Sequence, residues 1–406
     1  MTDFVFATCL PGVEPALKRE LARTRPELRF AFSRPGLVTF RSPTPVTSSD
    51  APGSVFARVW GVSLGRAATP TEAAALLEPY APARVHVFAR ESGSEAMVPG
   101  ASPDAGKVAD RSVGSVGSVG SAGTAGSVGS VGSAGSVGSA GSVGSVKTVG
   151  TAGSVGTIGT VATVGTVGAA GAVARPGPAG EVTFAAWQAI GPGGTAQIGE
   201  LVADVVVAEG EPALVGLHVH DATRSPNAGG TFAVAMPPDS PSRAYAKIEE
   251  AIAWAQIPMR PGHVALEIGA APGGAVYALA RRGLDVWAVD PGALAPHVAA
   301  LPGVHYLPIK VGALRWEQLP PRVDWLLCDM NLAPQVALHE LARLMPRLRS
   351  TLRGAVITLK LNEWAFVDEL PTLVQRIRDF GLPHVALRHL PSNRRELCAV
   401  ALARPA

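Results

Sequence analysis

Four charged residues stand where a catalytic machinery would need them. Lys247 lies in the helical run AYAKIEEAIAWA, Asp329 closes the strand-like VDWLLCD, Lys360 closes AVITLK, and Glu396 opens ELCAVAL. Carboxyl ends of parallel strands converge on the ligand crevice of an α/β sheet, so Asp329 and Lys360 should meet there. Taken singly, Lys247 reads equally as a solvated helix face and Glu396 as a rim charge. A lysine directly after the apolar run AVITL is harder to dismiss, because burying an ammonium is costly. Amines gathered with carboxylates are suited to holding, accepting or redirecting a proton.

A second cluster is built for binding. Glu267-Ile268-Gly269-Ala270-Ala271-Pro272-Gly273-Gly274 follows a strand and opens a helix. Small residues here let backbone approach a ligand closely, and glycines permit the tight turn. About twenty residues on, the next strand ends at Asp290, where a carboxylate can accept hydrogen bonds from both ribose hydroxyls of an adenosine cofactor. Gly269, Ala271, Pro272, Gly273, Gly274 and Asp290 are therefore the candidate cofactor contacts, and Asp329 faces the same crevice. A dinucleotide would require G-x-G-x-x-G to seat its pyrophosphate on the helix N-terminus. The loop reads G-A-A-P-G-G, and Pro272 removes an N–H donor. S-adenosylmethionine (SAM), which has no phosphate, suits it better.

The elements that must position these residues alternate from Ser242 onward. AYAKIEEAIAWA is a helix, VALEIGA a strand, GGAVYALARRG a helix, and VWAVD, VHYL and VDWLLCD are strands. VALHELARLMPRLRSTL is a helix, AVITLK a strand, EWAFVDELPTLVQRIRDFG a helix, and HVALRHL and ELCAVAL are closing strands. The pattern implies an α/β, Rossmann-like domain with a mostly parallel sheet and an antiparallel edge. Upstream, FVFATCL, LVTFRS, SVFARVWG and ARVHVFARES read as strands and VEPALKRELART as an amphipathic helix. ELVADVVVAEG and LVGLHVHD look like a strand pair. The expected divisions are a first α+β part over 1–104, an insertion over 105–180, the remainder of the α+β region over 181–236 and the α/β domain over 237–406. From Ser112 to Ala174 the chain is almost entirely Gly, Ser, Val, Ala and Thr, with Lys147 as its one charge. Such a segment cannot bury enough area to offset ordering entropy, so it reads as a disordered insertion, with a repetitive β-rich stack as the alternative.

Composition narrows the classes. The net charge of +3 is only weakly basic, so nucleic-acid contact must come from local patches. Cys9, Cys328 and Cys398 form neither a zinc pair nor a disulfide framework. No metal is expected. Met1-Thr2-Asp3 lacks a basic start, Phe4–Leu10 is too short for a secretory signal, and no apolar run would span a bilayer. A cytoplasmic enzyme with no membrane contact is the expectation.

The motifs PSRAYAKIEEA, IGAAPGGAVYALARRGLDVWAVD, LLCDM, LKL and RRELCAV together resemble the FtsJ-like family of RNA 2′-O-methyltransferases, with its Lys-Asp-Lys-Glu tetrad. TCLPGVEPALKREL, SVFARVW and SPNAGG…PPDSPSR extend the resemblance to a branch acting on the ribosomal large subunit. It implies a THUMP-type RNA-binding module before the catalytic domain, and a cytidine ribose of 23S rRNA as target. It implies Lys360 as proton acceptor, Asp329 beside it near the sulfonium, and Ser242, Ala271 to Gly274 and Asp290 around SAM. A monomer is expected. One departure stands out: the family has an acidic residue near the adenine, and here PIKVGAL, around Lys310 to Gly312, has none. Burial and Lys247 would lower the proton affinity of Lys360, while Asp329 and Glu396 would oppose that; the sequence leaves the balance open. The rival expectations are a SAM methyltransferase with another substrate and a non-catalytic RNA-binding protein that retains the fold.

Overall fold

The computed structural model describes residues 2–50, 53–91 and 183–405. The Gly/Ser/Val-rich insertion expected over 105–180 lies outside the described residues. Two seven-stranded sheets organise the rest.

The first sheet holds β1 (Thr2–Thr8), β2 (Arg29–Arg34), β3 (Leu37–Val46), β4 (Trp60–Ala67), β5 (Arg84–Ala89), β6 (Leu201–Ala208) and β7 (Glu211–Val219). Their order is β2-β3-β1-β4-β7-β6-β5, antiparallel except for the parallel β5–β6 pair. Helix α1 (Glu14–Thr24) buries Ala16, Leu17 and Leu21 in the core that also takes Val5 and Ala7 of β1. Helices α2 (Pro70–Leu77) and α3 (Phe184–Gln188) complete this part, each with a threonine side chain capping its N-terminus.

Helix α4 (Ala244–Ala255) introduces the second sheet. Its strands are β8 (Val264–Ile268), β9 (Asp285–Val289), β10 (Val304–Leu307), β11 (Trp325–Cys328), β12 (Gly354–Lys360), β13 (His384–Arg388) and β14 (Glu396–Leu402). The order is β10-β9-β8-β11-β12-β14-β13. The first five run parallel, and β14 is antiparallel to both neighbours. Helices α4 and α5 (Gly274–Arg281) share one core cluster with the sheet, and α7 (Pro334–Leu348) and α8 (Leu370–Arg378) share another, so both faces are covered. That coverage explains the uninterrupted apolar runs: every residue of β14 is buried. The short helix α6 (Pro296–Ala299) lies between β9 and β10. The α/β, Rossmann-like architecture and its antiparallel edge stand as the alternation implied.

Two local expectations are corrected. SVFARVWG is not one strand: β4 begins only at Trp60. Glu20 of α1 draws the preceding backbone out of the ladder, accepting hydrogen bonds from Ser54 Oγ at 2.6 Å and Val55 N at 3.1 Å. EWAFVDELPTLVQRIRDFG is not one helix either. A 3-10 segment over Trp364–Glu369 precedes α8, and Pro371, lacking an N–H, sits in the first turn of the new helix.

Candidate active site

Each of the four charged residues is brought to one point by a different element. Lys247 projects from the first turns of α4, Asp329 directly follows β11, Lys360 ends β12 and Glu396 begins β14. In the antiparallel ladder Lys360 and Glu396 are direct cross-strand partners, which places their side chains together on one face. The result is a closed ring of alternating sign. Lys247 Nζ lies 3.0 Å from Asp329 Oδ2 and 2.5 Å from Glu396 Oε1; Lys360 Nζ lies 2.8 Å from Asp329 Oδ1 and 2.6 Å from Glu396 Oε2. Each carboxylate gives one oxygen to each amine.

The ring is mostly withdrawn from solvent, with side-chain exposures from 8 to 21%. Desolvation alone would expel these charges, so the ring persists because every charge has two opposite neighbours. Burial presses the Lys360 ammonium toward neutrality, but Asp329 and Glu396 outweigh it and hold its proton affinity above the ordinary lysine range. Burial likewise raises the proton affinities of Asp329 and Glu396, and the two lysines overcome it, leaving both carboxyls below their usual range. The balance left open by the sequence thus falls on the charged side.

The loop after β8 lies against this ring. Gly269 adopts φ +85°, and a Cβ there would sit 2.8 Å from the carbonyl oxygen of Asp329, so only glycine permits this approach. Gly273 has φ +107° at the start of α5. A Cβ on Gly274 would meet Ser242 O at 2.8 Å, so the loop packs directly on the turn that leads into α4. The peptide between Ala271 and Pro272 is cis. Asp290 braces the loop: its Oδ2 accepts from Ala271 N at 3.1 Å and its Oδ1 from Gly292 N at 2.7 Å. Gly269, Ala271 and Asp290 thus gather at the carboxyl ends of β8, β9 and β11, where Gly269 abuts Asp329, and Gly274 abuts Ser242. In the stretch lacking a carboxylate, Val311–Ala313 forms a 3-10 turn; beside it Tyr306 donates its hydroxyl to Gly292 O at 2.7 Å.

Two further residues belong to the site that the sequence does not announce. Glu267 stands in the loop motif as a strand residue only. Its carboxyl is buried, Oε2 has no hydrogen-bond partner among the described residues, and it lines a pocket with Ala244, Lys247, Asp329, Thr358 and Asn393. Burial, then the neighbouring charges of Asp329 and Asp290, push its proton affinity well above the ordinary carboxyl range. An acid in the strand just before a glycine loop is the signal that could have found it. Glu250, on the same face of α4 as Lys247, accepts from Ser392 N at 2.8 Å and Ser392 Oγ at 2.7 Å. It thereby anchors the strap 389–395 that delivers Glu396. The strap is also held from the first sheet's side, where His389 N donates to Val55 O at 2.8 Å and Arg58 Nη2 to Pro391 O at 3.3 Å. No group of three or more His, Cys, Asp or Glu among the described residues could hold a metal ion. No described helix is long and apolar enough to cross a membrane.

Comparison with known proteins meets this geometry from outside. The chain is similar to Ribosomal RNA large subunit methyltransferase M of Alkalilimnicola ehrlichii, 40% identical over 150 residues that cover 34% of this chain and 40% of the relative. The protein of the same name from Halorhodospira halophila is 42% identical over 154 residues, 36% of this chain and 42% of the relative. That from Laribacter hongkongensis is 34% identical over 188 residues, 44% and 52%. The chain spans about half the length of these curated relatives, or less. Residues 241–366, which include α4, the glycine loop, Asp329 and Lys360, match the family model described as FtsJ-like methyltransferase. This stretch of the chain is thus similar to FtsJ-like methyltransferases.

Proposed function

We propose that the protein is a SAM-dependent RNA methyltransferase that modifies a ribose 2′-hydroxyl of large-subunit rRNA, a cytidine of 23S rRNA being the favoured target. The observation that carries the reading is the closed ring of Lys247, Asp329, Lys360 and Glu396 at the mouth of a glycine-lined crevice. The relatives' shared name supplies the substrate class. The N-terminal sheet, in the segments 1–104 and 181–236, serves as the RNA-binding region of THUMP type, and 237–406 as the catalytic domain of a cytoplasmic monomer.

The crevice fits the cofactor. SAM carries two cationic centres, an α-ammonium and a sulfonium; Asp329 offers them negative charge, and the buried Oε2 of Glu267, unpartnered among the described residues and pressed toward its protonated form, offers a hydrogen-bonding partner beside it. The space kept free by Gly269 and Gly274 admits a ligand against the backbone. Asp290 has further lone pairs for the ribose beyond those given to Ala271 and Gly292. When bound, SAM supplies an electrophilic methyl group.

The chain's own residues do the rest. A ribose hydroxyl is a poor nucleophile, and positioning can contribute about 7–11 kcal/mol and a general base roughly 10²–10⁴-fold. Lys360 Nζ, fixed between Asp329 and Glu396, points a nitrogen at the hydroxyl and takes its proton. Because those carboxylates hold Lys360 protonated at rest, the side chain first orients the hydroxyl oxygen and becomes a base only after releasing its own proton to bulk water. The hydroxyl oxygen then forms the bond to the methyl carbon and its proton passes to Lys360, while the electron pair of the broken S–C bond leaves with sulfur in the neutral thioether S-adenosylhomocysteine. Lys247 keeps both carboxylates in place from the other side. The test is methylation of unmodified large-subunit rRNA with labelled SAM, followed by mapping of the modified ribose. Label absent from ribose would overturn the reading.

A further inference from the structure

One face of the first sheet presents a surface that the catalytic reading does not use. Side chains alternate along strands, and the register places Phe4 opposite Arg41 and both Phe6 and Phe32 opposite Thr39. Phe6 packs with Leu37 and Leu214 in a small separate cluster, which identifies this face as the one turned away from α1. Arg34 pairs with Leu37 and Arg66 with Leu214, so both arginines rise from the same face. Arg34, Arg41 and Arg66 are exposed, Phe4 is 41% exposed and Phe32 is half-buried.

The arginines do not merely surround the rings. The Arg41 guanidinium lies 6.0 Å from the Phe4 centroid, and those of Arg34 and Arg66 lie 5.3 and 4.9 Å from that of Phe32. Each is a flat cation beside a flat ring. The one carboxylate within β1 to β4 is Asp3. At the far margin Glu211 pairs with Arg34 at 3.9 Å and Arg90 at 2.9 Å, and among the described residues no carboxylate forms an ion pair with Arg41 or Arg66. Such excess positive charge calls for a polyanion, and planar groups call for planar ligands. Bases within a duplex are already stacked on one another, whereas single strands offer free base faces.

We propose that this face binds a single-stranded segment of RNA, with bases stacked on Phe4 and Phe32 and phosphates paired to Arg34, Arg41 and Arg66. The proposal rests on the reading of the protein as an RNA methyltransferase with an RNA-binding N-terminal sheet, and assigns that binding to one face of the sheet, to named rings and arginines, and to a single-stranded segment. Stacking of one base on an aromatic ring is strong enough that removing the ring weakens binding roughly tenfold. Deleting one arginine that neutralises a phosphate should reduce the salt slope of binding by about 0.7 for a single strand.

The experiment measures binding of the full chain to a short fluorescein-labelled single-stranded RNA, and to the same sequence as a duplex, across a salt series. Phe4→Ala and Phe32→Ala should each weaken the single strand about tenfold, and Phe4→Tyr, which keeps a ring, should restore it. Arg41→Ala should flatten the salt slope. Melting curves confirm that each variant folds; Phe4, being exposed, gives a readout even if Phe32→Ala does not fold. Unchanged single-strand affinity in Phe4→Ala and Arg41→Ala, or equal losses on the duplex, would overturn the proposal. Methylation of unmodified rRNA by the unaltered protein is scored separately. Methylation alongside unaltered binding in the variants removes this surface alone, whereas weakened binding in the variants with no methylation by the parent supports the surface and removes the enzyme.

Discussion

The two ends of β11 carry one aspartate each, and the two are treated differently. Asp324, just before the strand, is fully buried; its Oδ1 takes Arg322 at 2.5 Å and Arg353 at 2.8 Å, and its Oδ2 takes the backbone N–H of Val264 at 3.0 Å. Asp329, just after the strand, meets two lysines that also share Glu396. The first arrangement uses guanidiniums, which stay charged throughout the accessible pH range, and ties the amino ends of β8 and β11 together. The second uses amines that can lose a proton, and doubles the carboxylates to hold them. The same residue type on one strand thus faces fixed charges at one end and titratable ones at the other, which on the proposed function separates cohesion from proton handling. What separates them is the chemistry of the cations they face.

The comparison breaks most sharply at Lys360. Lys360→Ala should lower single-turnover methylation of unmodified rRNA by at least roughly 10² in the folded fraction, while SAM affinity barely moves. Lys360→Arg should fail as well, since a guanidinium does not act as a base near neutrality. Near-normal rates in both would place the chemistry elsewhere in the crevice.

Asp324→Ala should do the opposite: a stability loss of about 1–3 kcal/mol with SAM affinity and rate retained in the folded fraction. Burial raises the proton affinity of Asp324, but the arginines and the backbone donor prevail and leave it lowered. Its contribution is therefore full above the ordinary carboxyl range and is lost as pH falls through its depressed value. An acid titration of stability in which Asp324→Ala tracked the parent would show that the cluster is inert. Asp290→Ala should weaken SAM binding by about 1–3 kcal/mol, by loss of charge-assisted hydrogen bonds to the ribose and of the Ala271 brace. Unchanged calorimetric affinity would remove Asp290 from the site.

The subtlest test concerns pH. Because Lys360 is held protonated, its free-base fraction, and with it the rate, should climb about tenfold per pH unit from neutrality upward. Glu396→Gln removes one of the two charges that raise the lysine's proton affinity, so the rising limb should shift to lower pH. A profile that stayed in place in Glu396→Gln would show that Glu396 does not set the state of Lys360.

Much of this is legible from the residues alone. Strand-end carboxylates and the glycine loop announce a crevice because an α/β sheet sends those ends to one side, and the short link between the two closing strands announces the antiparallel edge, whereas the pairing of Lys360 with Glu396 depends on β14 inserting between β12 and β13. The helix at Pro70–Leu77 goes unread although Thr69, Pro70 and Glu72 spell a helix start, with Thr69 capping Glu72 N at 3.2 Å. Glu267 and Glu250 are hidden for another reason. Whether a carboxyl is orphaned or clamped depends on partners far along the chain, such as Ser392, 142 residues from Glu250. The charge state of Lys360 is hidden likewise, since it is the difference between two large opposing effects whose sign is set by distances.

The strap 389–395 has a consequence for modularity. Its hold comes partly from α4 and partly from Val55 and Arg58, and Arg388 at its root is buried against Arg58 O at 3.0 Å. A fragment severed at residue 237 would keep the glycine loop and Asp290, which on the proposed function bind the cofactor, while losing the abutment behind Glu396. Such a fragment would load cofactor and turn over poorly, and the deficit would be repaired by adding back the N-terminal region in trans. The two sheets then share a hinge pin, and neither could be exchanged for a homologous piece without matching the other's contacts to this strap.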